Sequence, residues 1–162
     1  MKTQVAVYPG TFDPVTNGHI DLIRRALDIF PRIVVGVAEV SGKETLFSTA
    51  ERVEMLRQAT GLWKRVRVEP FDDLSVAFAK RQGARVILRG LRMISDFEYE
   101  FQMALTNRRI TPAVETVFLM PSAEYSYISS RLIKESVMLG ADARGLVPDF
   151  VARRLKDRLR AG

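Results

Sequence analysis

Short runs of β-branched and other apolar residues alternate along this chain with longer segments in which apolar residues recur at helical spacing. The short runs predict the strands Gln4–Tyr8, Arg32–Val37, Val66–Pro70, Arg85–Arg89 and Glu115–Leu119. The longer segments predict the helices Gly18–Phe30, Thr49–Thr60, Leu74–Gln82, Asp96–Arg109, Ser129–Leu139 and Pro148–Arg160. This alternation favours an α/β fold, a mostly parallel five-stranded sheet with helices on both faces.

Several helix patterns carry local signals of their own. The first helix has an apolar stripe made by Ile20, Ile23, Ala26, Leu27 and Phe30. Ser48 and Glu51 have the spacing of a capping box, and Pro148 fits the first turn of the last helix. No linker, internal repeat or low-complexity stretch interrupts the pattern, so we predict one domain over residues 1–162.

The composition restricts the chemistry that this chain can carry. With no cysteine and a single histidine, disulfides, thiolate metal sites and multi-histidine metal sites are excluded. Any metal must therefore be held by carboxylates or arrive with a substrate. The start of the sequence does not resemble a signal peptide, and no run approaches the ~18 apolar residues that span a bilayer. We expect a cytoplasmic protein that does not contact membranes.

The net charge of +6 admits a second hypothesis, a basic module that binds nucleic acid. Much of the excess charge lies in the last predicted helix, where Val151, Leu155 and Leu159 recur at four-residue spacing. A surface helix with a solvated basic face explains this pattern better than a nucleic-acid-binding surface does. The sequence has no helix-turn-helix, zinc-finger or RNA-binding signature, so we expect no nucleic-acid partner. Tight binding of generic strands at physiological salt would revive the alternative.

A glycine-punctuated turn, Tyr8-Pro9-Gly10-Thr11-Phe12-Asp13-Pro14-Val15-Thr16-Asn17-Gly18-His19, connects the first strand to the first helix. Turns of this kind present backbone N–H groups and a positive helix end to phosphate. The segment has neither the spacing of a Walker loop nor that of a dinucleotide fingerprint. Because the only histidine lies at the helix start, we favour phosphate chemistry over a purely structural turn.

Three further clusters follow other predicted strands, and each also has an ordinary structural explanation. Lys43 lies in a polar loop, where most lysines are simply solvated. Arg89-Gly90-Leu91-Arg92 could bind phosphate through its arginines or form ion pairs with nearby acids such as Asp96, Glu98 and Glu100. Ser129 and Ser130 could cradle phosphate or merely cap a helix.

Taken together, these motifs resemble the bacterial phosphopantetheine adenylyltransferase family of the nucleotidyltransferase superfamily. The resemblance spans nearly the whole chain and rests on ordered motifs: Tyr8 to Pro14, Asn17-Gly18-His19, Arg89 to Arg92, Asp96-Phe97-Glu98-Tyr99-Glu100, Phe118-Leu119-Met120-Pro121-Ser122 and Ile128-Ser129-Ser130. It implies a single Rossmann-like nucleotidyltransferase domain. It also implies reversible transfer of the adenylyl group of ATP to 4′-phosphopantetheine by direct in-line attack, giving dephospho-coenzyme A and pyrophosphate.

The resemblance also implies roles for individual residues. His19 is the expected transition-state stabiliser, and Thr11, Lys43, Ser75 and Arg89 are the expected phosphopantetheine-binding residues. The residues expected to bind ATP are Thr11, Phe12, His19, Gly90, Leu91, Arg92, Glu100, Tyr125, Ser126, Tyr127, Ile128, Ser129, Ser130 and Arg131. Magnesium is expected to arrive with ATP, without dedicated metal ligands. A homohexamer and feedback inhibition by coenzyme A are further implications.

Three positions depart from patterns common among these relatives. Arg131 stands where serine is common in the family, and Ser75 is shorter than the apolar residues often found there. Lys134 replaces an arginine of many superfamily members, although lysine is usual in the phosphopantetheine branch. The alternative function is adenylyl or cytidylyl transfer to another phosphorylated acceptor, such as nicotinamide mononucleotide or glycerol phosphate. The glycerol-phosphate signature Arg-Thr-x-Gly-Ile-Ser-Thr is absent from the sequence.

Overall fold

A computed structural model describes residues 5–39 and 44–160 of the chain. Its strands are β1 (Val5–Gly10), β2 (Arg32–Ala38), β3 (Val66–Phe71), β4 (Val86–Gly90) and β5 (Glu115–Leu119). Its α-helices are α1 (Asn17–Leu27), α2 (Thr49–Thr60), α3 (Ser75–Arg81), α4 (Ile94–Ile110), α5 (Ser130–Met138) and α6 (Asp149–Arg160). A short 3₁₀ helix, Ala123–Tyr125, which the sequence pattern did not predict, precedes α5.

The strands form one sheet in the order β3-β2-β1-β4-β5, and every pairing between neighbours is parallel. The α/β prediction is therefore confirmed, with a sheet that is wholly parallel over the described residues. This order is that of doubly wound folds. The strand order reverses between β1 and β4, because the chain first adds strands on one side of β1 and then on the other. Ligands of such folds bind where the carboxyl ends of those strands diverge, here the ends of β1 and β4.

Side chains alternate between the two faces of the sheet, and each face carries its own core. On β1, Ala6 and Tyr8 belong to the larger core, whereas Val7 belongs to the smaller one. The larger core includes buried residues of α1, α2, α5 and α6, among them Ile23, Leu56, Ile133 and Leu155. The smaller core packs against Val76, Phe78 and Ala79 of α3. Helices therefore cover both faces, as predicted.

The ends of several elements differ from the predicted ones. β1 continues past Tyr8, because Pro9 and Gly10 still align with Gly36 and Val37 of β2. Helix α1 ends at Leu27, three residues before the predicted end, although Phe30 is buried as the stripe requires. Pro31 disfavours helical backbone at Phe30, so the chain leaves the helix through a turn. Helix α4 begins at Ile94, earlier than predicted.

The basic C-terminal helix packs as its apolar stripe predicts. Val151 and Leu155 are completely buried in the larger core. On its polar side, Arg154 forms an ion pair with Glu54, and Arg158 pairs with Glu51. Part of the positive charge of the tail is thus matched by carboxylates of α2. Over residues 5–39 and 44–160, the structure has no helix that is both long and apolar enough to span a bilayer.

Candidate active site

A cavity of about 550 Å³ opens at the carboxyl ends of β1 and β4, where the sheet topology predicts a ligand site. Of the predicted site residues, those that line it are Thr11, Phe12, His19, Arg89, Gly90, Arg92, Glu100, Tyr125, Ile128, Ser129, Ser130 and Arg131. The fold therefore brings together three of the four sequence clusters: the glycine turn, the end of β4 and the start of α5.

Five predicted site residues do not belong to this set. Ser75 begins α3, and Leu91 donates its backbone N–H to the Leu119 carbonyl of β5. Neither residue lines the cavity. Ser126 and Tyr127 do not line it either, although the adjacent Tyr125 and Ile128 do. Lys43 lies outside the described residues. Binding roles for these five residues stay predictions.

His19 occupies the third position of α1, where it forms a reciprocal cap with Thr16. The Thr16 side-chain oxygen accepts a hydrogen bond from the His19 backbone N–H over 3.2 Å, and the Thr16 backbone N–H donates to His19 Nδ1 over 3.0 Å. Burial, together with the positive charges of Arg92 and Arg89, lowers the pKa of His19 to about 3. The ring is therefore neutral at physiological pH.

Phe12 also packs against the imidazole. Its backbone adopts a left-handed conformation with φ of 51°, which is uncommon for a bulky residue and typical of a constrained turn at a functional site. Its buried ring lies edge-on to the His19 ring, with 4.9 Å between centroids, and also contacts Tyr8 at 5.3 Å. Its side chain packs in the larger core, and the nucleotide contact of Phe12 stays a prediction.

Arg89 lies at the end of β4 and is held by Glu100 of α4. Its Nε and one terminal nitrogen donate to the two carboxylate oxygens over 2.8 and 2.5 Å, and the other terminal nitrogen donates to the Pro9 carbonyl. Burial alone would lower the pKa of Arg89, but the hydrogen bonds and charge of Glu100 reverse this, so the pKa is raised. Within the part of the chain that the structure describes, these bonds use three of the five guanidinium N–H donors and leave two for a ligand.

Arg92 connects the end of β4 to the segment before α5. Its guanidinium donates to the Ile128 carbonyl over 2.7 Å and pairs with Asp96 at 3.2 Å. Gly90 allows this strand end to pack closely, because a Cβ there would lie only 2.8 Å from a methyl carbon of Leu22. The predicted clusters on β4 and before α5 are thus joined by a direct hydrogen bond.

The serines at the start of α5 already have internal partners. The Ser129 hydroxyl caps the helix by accepting from the Leu132 N–H over 3.2 Å. The Ser130 hydroxyl donates to the Pro14 carbonyl over 2.8 Å, which connects α5 to the glycine turn. The capping interpretation is correct for Ser129. Both residues also line the cavity, so the start of α5, whose first N–H groups have no partner within the helix, faces the space where an anion would bind.

Asp13 and Lys134 form a second, partly buried ion pair in the cavity wall. The Asp13 carboxylate is 4% exposed and accepts hydrogen bonds from the backbone N–H groups of Leu46 and Phe47, each over 2.9 Å. Lys134 Nζ lies 2.7 Å from the same carboxylate. In the sequence, Lys134 stands out only as a departure from the pattern of its relatives, and its partner is not predicted, since nothing in the local pattern connects positions 121 residues apart.

Arg52 of α2 is a buried residue that the sequence analysis missed. Its guanidinium donates to three backbone carbonyls, those of Thr11, Ala38 and Phe47, and to the Thr49 hydroxyl. With 1% of its surface exposed, it fixes the glycine turn against the end of β2 and the start of α2. Its helical position beside Val53 gives no sign of this role.

The cavity wall balances positive and negative side chains. Among the described residues, the cations are Arg89, Arg92, Arg131 and Lys134, and the carboxylates are Asp13, Glu44, Asp96 and Glu100. Fixed guanidinium and ammonium groups, a neutral imidazole and free helix N–H groups are suited to holding phosphates in a defined geometry. Within residues 5–39 and 44–160, no cluster of three or more histidines or carboxylates could hold a metal ion.

Comparisons with known proteins agree with this arrangement. The model of the cytidylyltransferase-like family matches residues 7–136. The chain is 54% identical to the phosphopantetheine adenylyltransferase of Moorella thermoacetica over 155 residues, covering 96% of this chain and 97% of that protein. It is 52% identical to the protein of the same name from Desulforudis audaxviator, covering 96% and 95%. It is also 54% identical to the phosphopantetheine adenylyltransferase of Nitratidesulfovibrio vulgaris, and the match covers 97% of this chain and 84% of that protein.

Proposed function

Because this chain belongs to the phosphopantetheine adenylyltransferases of the cytidylyltransferase-like family, we propose that it transfers the adenylyl group of ATP to 4′-phosphopantetheine. The products are dephospho-coenzyme A and pyrophosphate, and the reaction is reversible. A phosphate oxygen of the acceptor attacks the α-phosphorus of ATP. A new phosphorus–oxygen bond forms while the bond to the β-phosphate oxygen breaks, so pyrophosphate leaves with the bonding electron pair.

One observation supports this proposal above all: His19, Arg89 and Arg92 line the same cavity at the ends of β1 and β4. The attacking phosphate is already an anion near neutral pH, so the reaction needs no general base. It needs two anionic substrates held in line and the charge that grows on the α-phosphoryl oxygens stabilised. A neutral imidazole donates a hydrogen bond to that centre, and the arginines offset repulsion between the substrates.

Within this proposal each substrate has its own set of residues. Thr11, Lys43 and Arg89 bind the phosphate of phosphopantetheine, and Ser75 contacts its pantetheine arm. The ATP site consists of Thr11, Phe12, His19, Gly90, Leu91, Arg92, Glu100 and residues 125–131. Magnesium enters bound to the triphosphate, whose oxygens are the hard ligands that this ion prefers.

Three further features belong to the same proposal. Coenzyme A contains the phosphopantetheine group, so it competes with the acceptor and acts as a feedback inhibitor. The enzyme works in the cytoplasm. It assembles as a homohexamer, and the exposed apolar side chains of α4, which include Phe97, Phe101 and Leu105, supply surface for contacts between subunits.

Pyrophosphate release in the presence of MgATP tests the acceptor. We expect rapid release with 4′-phosphopantetheine, and only background release with nicotinamide mononucleotide, glycerol phosphate or dephosphorylated pantetheine. The last compound is the matched control, because it lacks only the attacking phosphate. Equal or faster release with nicotinamide mononucleotide or glycerol phosphate would favour the alternative acceptors instead.

A further inference from the structure

The imidazole of His19 is bound on one side by the start of its own helix. The Thr16 backbone N–H donates to Nδ1 over 3.0 Å, and the Thr16 hydroxyl oxygen lies 3.2 Å from the same nitrogen. A ring nitrogen that accepts a backbone N–H bond carries no proton. The neutral ring must therefore carry its proton on Nε2, whereas an unrestrained imidazole exchanges between two tautomers.

The charges around the ring oppose a second proton. Arg89 at the end of β4 and Arg92 just beyond it are the cations that act on the imidazole. Tyr8 of β1 packs near the ring, with 6.5 Å between centroids, and is uncharged because burial raises its pKa to about 12. Of the cavity carboxylates, Glu100 and Asp96 pair with these arginines, and Asp13 pairs with Lys134 of α5. Glu44, the fourth, is not among the groups that shift the pKa of His19. The surroundings thus favour a neutral ring.

We infer that Thr16 is a positioning residue that holds His19 as a neutral donor with its proton on Nε2. Its side-chain oxygen caps the His19 N–H, and this cap brings Nδ1 of the ring within reach of the Thr16 backbone N–H. With Nδ1 fixed, Nε2 donates in one direction only. The catalytic meaning of this arrangement rests on the proposed function, since the donor must meet the α-phosphoryl oxygen.

The lone histidine makes the tautomer directly measurable. A two-bond ¹H–¹⁵N correlation spectrum of the substrate-free protein contains a single imidazole, so its assignment is unambiguous. We expect an unprotonated Nδ1 and a protonated Nε2, with both shifts constant from pH 8 to pH 5. A protonated Nδ1, or a ring that titrates near its ordinary pKa of about 6.5, would overturn the inference.

Two substitutions at Thr16 separate positioning from packing. Thr16→Val keeps the buried shape and the backbone N–H but loses the side-chain oxygen. We expect a mixture of tautomers and a kcat about tenfold lower at unchanged KM, the effect of weakening one hydrogen bond in the transition state. Thr16→Ser keeps the hydroxyl, so it should restore both the spectrum and kcat.

Ser48→Ala is the matched control, because Ser48 caps α2 through the same reciprocal arrangement with Glu51. It should lose similar stability while the His19 spectrum and kcat stay unchanged. The inference fails if Thr16→Val keeps the wild-type spectrum and kcat, or if Ser48→Ala lowers kcat as much. Should Thr16→Val not fold, the wild-type spectrum decides. If the Nε2 tautomer is found but no adenylyl transfer occurs, the proposed function fails and the positioning by Thr16 stands.

Discussion

At the residue scale, the neutral state of His19 makes stability depend on pH. Burial and the charges of Arg92 and Arg89 lower its pKa to about 3, whereas a histidine in the unfolded chain titrates near 6.5. Between these two values, unfolding takes up a proton that the folded chain does not bind. The contribution of this residue to the free energy of unfolding is therefore complete above about pH 6.5 and falls as the pH drops toward 3.

Comparing wild type with His19→Gln isolates this effect, since all other titrating groups are shared. From pH 8 to pH 5, we expect the wild type to lose more of its free energy of unfolding than the variant. The difference should grow by up to ~1 kcal/mol per pH unit below pH 6.5, allowing for partial solvent exposure. Urea titrations at each pH measure it. Parallel losses in the two proteins would show that His19 is protonated as easily in the folded state.

Arg89 tests how the phosphate of phosphopantetheine is bound. Arg89→Ala removes a guanidinium that Glu100 orients toward the cavity, so affinity for phosphopantetheine should fall at least about tenfold, the effect of losing charge-assisted hydrogen bonds. Titration calorimetry measures this affinity. Arg108→Ala is the control, because Arg108 belongs to an exposed pair with Glu115 and should change nothing. Unchanged affinity in Arg89→Ala would remove this residue from the binding site.

At the scale of elements, the buried Arg52 connects the glycine turn to the end of β2 and the start of α2. Arg52→Met removes the donors to the carbonyls of Thr11, Ala38 and Phe47, which leaves these buried or partly buried acceptors without their bonds to Arg52. We expect a loss of at least about 3 kcal/mol in the free energy of unfolding, measured by urea denaturation.

Arg57→Met is the control for this loss, because Arg57 lies exposed on the same helix and, over residues 5–39 and 44–160, its guanidinium donates to a single carbonyl, that of Val68. It should cost no more than about 1 kcal/mol. If both variants lose the same free energy of unfolding, the additional hydrogen bonds of Arg52 do not contribute to stability.

The sequence patterns predicted elements better than they predicted partners. Periodicity, the Ser48 cap and the glycine turn located the helices, strands and the region of the site, because those signals are local. The bonds of Arg52 and the Asp13–Lys134 pair join residues far apart in the chain, so no local pattern contains them. The ends of α1 and β1 were wrong by two or three residues, since Pro31 and strand pairing decide them.

At the scale of the whole molecule, α4 leaves much apolar surface uncovered. Phe101 and Leu105 are about half exposed, although helices of single-chain proteins usually bury such residues. A homohexamer would cover this surface, and sedimentation should show six times the chain mass of 18.3 kDa. Leu105→Asp should shift the protein to smaller species. Leu62→Asp, at an equally apolar but loop-exposed position, should not. A wild-type monomer at micromolar concentration would contradict the proposed assembly.

The central claim is that His19 stabilises adenylyl transfer at the shared end of β1 and β4. Rapid-quench single-turnover measurements, with enzyme in excess over MgATP and saturating 4′-phosphopantetheine, test it most directly. The account predicts that His19→Ala forms dephospho-coenzyme A about 10²–10³ times more slowly than wild type while both substrates bind with nearly unchanged affinity. A variant that forms the product at the wild-type rate would contradict it.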